Sequence, residues 1–485
     1  MPAMSTTPSP LLVAGIDAST QSCKVVVRER ATGRVVRHGA APVPGDKSID
    51  PARWWEALGR AVTATGGLAD VAAISVGAQQ HGMVALDERG RVVRDALLWH
   101  DTSTAPQARQ LTDELGREAW IAATGMTPAA SFTVTKMRWL RENEPDNAAR
   151  VAAVALPHDW LIWRLRGFGP ENPELGELVT DRSDASGTAY WSPFTETYRM
   201  DIVTRAFGRT VILPRVLQPD DVAGFTTDVL PGIPAGIPIG VGGADNALAA
   251  LGLGIGAGDA VVSIGTSGTV YAISHTPVKD LHGTVSTYAD ATGNYLPLVA
   301  MLNAARVLDA GRTLLQTDAV SFDALANSAQ PGSGGVTLLP YFEGERYPAL
   351  PNARASLHGL ALDNCTPENI ARAFVEGLIC SLANGLDALR RTGIDCQRVI
   401  LVGGGSRSAA TQHMVAGIFG VPVVVPTPDE YVTRGAAKQA VAALGEEMPD
   451  WAWDGQTDLR CEIDMSDVRR QHQRAFDAAT NGEYV

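Results

Sequence analysis

Apolar and polar positions change period several times along the chain. Residues 11–16 are an apolar run, 17–24 are small and polar, and 25–28 are apolar again. Two strands joined by a tight turn give that pattern, and residues 35–38 supply a third strand. Over 51–65 the period becomes helical, with Trp54, Trp55, Leu58 and Val62 on one face. A β-branched run at 71–76 ends at Gly77 and predicts a strand, followed by a shorter one at 83–86. Residues 109–165 read as mainly helical. The second half restarts the pattern: a strand at 260–264, a small polar turn at 265–269 and a strand at 270–273. A strand at 399–402 runs into Gly403, Gly404 and Gly405, then a helix at 409–419 and a strand at 421–425. One device, a Ser/Thr-rich turn between buried strands, thus occurs twice. It predicts an α/β fold with a duplicated domain and a cleft between the halves, divided within 242–259.

Composition narrows the function classes. Of 485 residues, 45% are hydrophobic and 19% charged, which excludes a disordered chain. Lys plus Arg number 40 against 53 Asp plus Glu, a net charge of −13 with no long basic run. That argues against a nucleic-acid or membrane-surface partner. Five scattered cysteines without a C-x-x-C pair fit a reducing cytoplasm better than a disulfide or zinc framework. Residues 1–10 are expected to be a disordered tail rather than a signal peptide, and nowhere do 18 apolar residues run together.

Both polar turns have the means to hold an anion: small residues admit a ligand close to the backbone, and successive N–H groups form a concavity. Ser and Thr are also common in any hairpin. Gly252, Gly254 and Ala257 match a dinucleotide-binding pattern, but follow an Ala/Leu stretch that looks helical rather than a buried strand. Asp245, after the run 237–241, suits either a helix cap or a general base. The clusters at 79–82 (Gln-Gln-His-Gly) and 99–101 (Trp-His-Asp) offer amide, imidazole, indole and carboxylate groups such as a sugar pocket uses, and such as many core edges contain.

Taken in order, the clusters resemble those of the FGGY carbohydrate kinases, in the superfamily of actin, hexokinase and the heat-shock ATPases. The resemblance spans roughly residues 13–444. It rests on Gly-Ile-Asp-Ala-Ser-Thr at 15–20, Gln-Gln-His-Gly at 79–82, Leu-Trp-His-Asp at 98–101, and Thr-Asp-Arg-Ser-Asp-Ala-Ser-Gly-Thr at 180–188. It continues with Gly-Gly-Ala-Asp-Asn-Ala at 242–247, Ser-Ile-Gly-Thr-Ser-Gly-Thr at 263–269, Gly-Glu-Arg-Tyr-Pro at 344–348 and Gly-Gly-Gly-Ser-Arg-Ser at 403–408. The resemblance implies two ribonuclease-H-like lobes, a sugar-binding lobe over 11–243 and a nucleotide-binding lobe over 244–485. It also implies ATP and Mg²⁺ as cofactors, a small-molecule sugar as substrate, and a homodimer. By the same resemblance Asp245 is the general base, and Asp17 lies at the Mg²⁺ centre, holding the ion through water. Gln80, His81, Trp99 and Asp101 line the sugar pocket. Ser19, Thr20, Lys24, Gly265, Thr266 and Ser267 meet the phosphates, with Gly403, Gly404, Gly405 and Ser406 at the adenosine. The segments at 79–82 and 183–188 are similar to those of the branch acting on D-xylulose. Alternatives are a kinase for another ketopentose or a polyol, or a non-catalytic sensing relative. One departure stands at His100, where that branch has Asn with an Arg soon after; Thr102 and Ser103 follow here.

Overall fold

The computed structural model describes residues 11–480, so the tail expected over 1–10 lies outside the described residues. Two seven-stranded sheets form the framework. The first contains β1 (Leu12–Ala18), β2 (Ser22–Glu29), β3 (Val35–Pro42), β4 (Val71–Ala78), β5 (Val222–Phe225) and β6 (Pro238–Gly240), with the short pair Gly243–Ala244 added beside β4. The second contains β7 (Gly258–Ile264), β8 (Gly268–Ala272), β9 (Ser286–Ala289), β10 (Tyr295–Met301), β11 (Cys396–Val402), β12 (Val423–Pro426) and β13 (Gln456–Leu459).

The two sheets repeat one topology. In each, the first strand pairs antiparallel with the next through a polar hairpin turn and parallel with a later strand: β1 with β2 and β4, β7 with β8 and β11. An antiparallel strand closes the edge beyond the parallel set, β5 on β6 and β13 on β12. The expected hairpins and the duplication are both present, as the ribonuclease-H-like α/β class requires. β1 is buried along its whole length because helices cover both faces of its sheet.

Ten helices bear on the site. They are α1 (Ala52–Ala64), α2 (Thr133–Asn143), α3 (Pro157–Leu165), α4 (Arg182–Gly187), α5 (Asp245–Leu253), α6 (Ala305–Leu315), α7 (Ala319–Ser328), α8 (Pro367–Arg391), α9 (Ala409–Phe419) and α10 (Tyr431–Ala442). One core joins the first sheet to α1 and α3, another joins the second sheet to α8 and α9. A third core bridges them, placing Ala247 and Leu248 of α5 with Val261, Tyr271, Ile400 and Ala436. α10 comes late in the chain, yet packs on β1 and β4 of the first sheet and on α5. It fits because glycines stand at the crossing: a Cβ on Gly435 would lie 2.0 Å from Leu248 O, and one on Gly252 would lie 2.0 Å from Tyr431 O. Gly252 therefore serves helix packing, and the dinucleotide pattern it belongs to ends a helix rather than opening one. Among the described residues no helix is long and apolar enough to cross a membrane.

Candidate active site

Asp17 stands near the end of β1, where the sheet opens toward the second half. Its carboxyl is buried and its Oδ1 has no hydrogen-bond partner. Burial raises its pKa from 3.8 to about 7; the Asp245 carboxylate adds to the rise and Lys24 opposes it. Asp245 begins α5, with Ala244 as the capping residue, so it is not itself the helix cap. Burial lifts its pKa to about 6, held back by the Asn246 backbone N–H (2.8 Å) and Nδ2 (3.1 Å), both donating to Oδ1. The Asp245 carboxylate, from the other side of the chain's midpoint, thus acts on Asp17 through its charge. The Asp245 charge also acts on Tyr271 of β8 and Tyr288 of β9, which puts it at the junction of the two sheets.

The short helix α4 ties Gln80 and His81 to Ala244, the residue before Asp245. Its N-cap, Asp181, accepts from the Ser183 and Asp184 N–H groups. Gln80 Nε2 donates to Ser183 O (3.0 Å), His81 Nδ1 meets Gly187 O (2.8 Å), and Ala244 N–H donates to Ser183 Oγ (3.0 Å). From behind, His158 Nδ1 meets Asp184 Oδ2 at 2.5 Å, with Asp159 and Asp181 beside the ring. Burial opposes a charge on His158, but the three carboxylates outweigh it and lift its pKa to about 9. His158, Asp181 and Asp184 can also be read as a ligand set, but all three are sealed in the core and act as an ionic anchor under α4.

His81 takes a positive φ of 70°, a conformation few non-glycine residues adopt. Lys136 Nζ (2.9 Å) and Thr133 Oγ1 (3.3 Å), both from α2, hold its carbonyl there. Burial, then the Lys136 charge, lowers the His81 pKa to about 3, so its ring is neutral at every working pH. Burial also lowers Lys136, to about 7, against the pull of Asp101. Trp99 Nε1 donates to Thr20 Oγ1 (3.0 Å), which donates to Gln79 Oε1 (3.4 Å). Gln80, His81, Trp99 and Asp101 are thus joined in one wall, Trp99 through Thr20 to Gln79 beside Gln80, and Asp101 through its charge on Lys136, which holds the His81 carbonyl. Lys136 was missed, because nothing in its helical surroundings marks it.

Several expected phosphate contacts are engaged elsewhere. Thr20 is spent on Trp99, and Ser19 Oγ donates to Ser22 O (2.8 Å) inside its own hairpin. Lys24 pairs with Glu430 at 2.6 Å, joining β2 to the start of α10. In the second hairpin, Thr266 and Ser267 make no side-chain hydrogen bond among the described residues, while Gly265 O accepts from Ala305 N–H (2.9 Å). Beside that corner opens a cavity of about 720 Å³, lined by Asp309, Arg312, Asp323, Asn327, Gly404 and Gly405 among others. Its volume is ample for a nucleoside. Gly404 faces open space, but a Cβ on Gly403 would lie 2.6 Å from Ile264 O, so Gly403 serves the approach of the loop to β7. Ser406 turns its hydroxyl to Gly403 O (2.7 Å) and does not line the cavity. Asp323, missed in the sequence, accepts from Ser408 Oγ (2.8 Å) and Ala409 N–H (2.7 Å), fixing the start of α9.

Residues 12–252 match the model for the N-terminal domain of the FGGY family of carbohydrate kinases, and 260–444 the model for its C-terminal domain. The chain is 45% identical to a xylulose kinase of Streptomyces coelicolor, covering 92% of this chain and 90% of that protein. It is 32% identical to a xylulose kinase of Escherichia coli, covering 89% and 90%. Among solved structures, the xylulose kinase of Bifidobacterium adolescentis superposes with a TM-score of 0.89 at 44% identity, over 96% of this chain and 99% of that one. Plasmodium falciparum glycerol kinase with ADP shares the fold, with a TM-score of 0.84 at 19% identity over 98% of both.

Proposed function

Since the chain belongs to the FGGY family of carbohydrate kinases, we propose that the sugar it phosphorylates with ATP is D-xylulose. The product is D-xylulose 5-phosphate. The relatives' identity over nine-tenths of the chain supports the substrate. The observation that carries the site assignment is the set of hydrogen bonds from α4 to Gln80, His81 and Ala244, which fixes the sugar wall relative to Asp245.

In this reading Gln80, His81, Trp99 and Asp101 bind the ketopentose, with the His81 ring as a neutral hydrogen-bonding group. Asp245 accepts the proton of the terminal hydroxyl as that oxygen bonds to the γ-phosphorus. The bond to the β–γ bridging oxygen breaks, and ADP leaves with the electron pair. Thr266 and Ser267 hold phosphate oxygens, and the cavity at Gly404 and Gly405 takes the adenosine. The residues at Asp17 fit Mg²⁺: an unpartnered buried carboxylate oxygen beside a second carboxylate gains from a divalent cation. Asp17 would hold it through water, and the ion would neutralise phosphate charge. Five cysteines without a bridge support a cytoplasmic enzyme; a homodimer rests on family resemblance.

The test is ADP release from Mg-ATP across D-xylulose, D-ribulose, alditols and glycerol. D-xylulose is expected to give the highest kcat/KM by at least about tenfold, a difference of 1.4 kcal/mol. A polyol or another ketopentose in first place would overturn the substrate and leave the kinase.

A further inference from the structure

The segment 344–348, Gly-Glu-Arg-Tyr-Pro, has no part in the site described so far. Glu345 is buried at 2% exposure and accepts from Leu302 N–H (2.6 Å), Asn303 Nδ2 (2.8 Å), Asn303 N–H (3.3 Å) and the Arg346 N–H (2.7 Å). Asn303 Nδ2 also donates to Gly344 O (2.7 Å), and Glu345 exchanges both backbone hydrogen bonds with Leu350. Arg391 donates to the Tyr347 hydroxyl (2.5 Å). The loop is thus pinned on both sides of Arg346. Its anchor, at Leu302 and Asn303, adjoins Ala305, whose N–H holds the Gly265 turn.

So rigid a mount contrasts with the side chain it carries. No carboxylate or carbonyl accepts a hydrogen bond from the Arg346 guanidinium among the described residues, and only the charges of Tyr288 and Glu345 act on it. It is reached by solvent, yet enough protein surrounds it that desolvation lowers its pKa, as for a side chain standing in a cleft. Its charge is felt by His81 of the sugar wall and by Tyr288, whose ring lies 6.2 Å from that of His81. An arginine thus stands on a loop anchored beside the Gly265 turn, makes no side-chain hydrogen bond among the described residues, and acts through its charge on His81 and Tyr288.

We infer that Arg346 binds the phosphoryl group during its passage from ATP to the sugar. The inference rests on the kinase reading above. Its planar fork of donors matches phosphate oxygens, and it gives up no proton: it contributes charge and hydrogen bonds where negative charge concentrates. The bland reading, a solvated surface arginine, accounts for neither the pinned loop nor the influence on His81.

Two measurements test this. In steady state, Arg346→Ala is expected to lower kcat at least a hundredfold, about 2.7 kcal/mol, with both KM values within about threefold. Added guanidinium ion is expected to restore part of the rate. In calorimetry, which needs no turnover, Arg346→Ala is expected to weaken D-xylulose 5-phosphate binding at least about tenfold while D-xylulose binding is unchanged. A kcat within threefold of the parent overturns the inference, and so does equal weakening for sugar and sugar phosphate. A wild-type enzyme inactive on every sugar would instead sink the kinase reading, and calorimetry would still decide Arg346.

Discussion

At the residue scale, a buried carboxylate without a hydrogen-bond donor is expensive to ionise, and Asp17 is such a group. Its pKa is about 7 in the fold against 3.8 in an exposed chain, so folding takes up a proton at Asp17 between those pH values. Native protein then binds more protons than unfolded protein, and stability falls as pH rises through that window. Asp17→Asn removes the effect. Without nucleotide and Mg²⁺, the variant is expected to unfold a few degrees higher than the parent at pH 8, with the gap closing toward pH 4. A gap independent of pH, measured by calorimetric melting, would show that Asp17 is not held protonated by the fold. Asp17 and Asp245 were legible in the sequence because each follows a buried run and lies in a small-residue segment. Lys136 was not, and Arg346 stood out only as part of Gly-Glu-Arg-Tyr-Pro with no role attached, because their surroundings, His81 and Tyr288, lie far away in the chain.

At the scale of elements, the six-residue helix α4 is too short to be stable alone. It is capped by Asp181, anchored by His158, and shared between Gln80, His81 and the strand before Asp245. Ser183→Ala strands the buried Ala244 N–H at a cost of about 1–3 kcal/mol. It is expected to lower kcat/KM for the sugar about tenfold or more while the KM of ATP stays put, since α4 does not line the cavity at Gly404 and Gly405. Equal losses for both substrates in initial-rate kinetics would detach α4 from the sugar side. The strands and hairpins were readable because their apolar runs and small polar turns are local signals. α10 gives no such signal: residues from Thr433 to Ala442 are buried on every face, so there is no apolar stripe. Its Arg434 is accommodated by Asp429 at 3.0 Å and by the Trp451 and Ala452 carbonyls (2.7 and 2.6 Å).

At the scale of the molecule, duplication brings two like sheets together, and Asp245 acts through its charge on groups of both. Asp17 comes from the first sheet; Tyr271, Tyr288 and the Gly265 turn come from the second; α5 and α10 cross the junction. The repeated turn in the sequence announced the duplication. It could not announce that the first turn spends its hydroxyls on Ser22 and Trp99 while the second leaves Thr266 and Ser267 without side-chain hydrogen bonds among the described residues, since that depends on the folded surroundings. In the proposed mechanism Asp245, raised to about 6 by burial, takes the proton of the sugar hydroxyl. Turnover of D-xylulose by Asp245→Ala, with ATP binding followed in parallel, tests it most directly. A loss of at least about a hundredfold in kcat with ATP still bound is the predicted result. Turnover near that of the parent would contradict the claim and leave Asp245 as only the first residue of a helix.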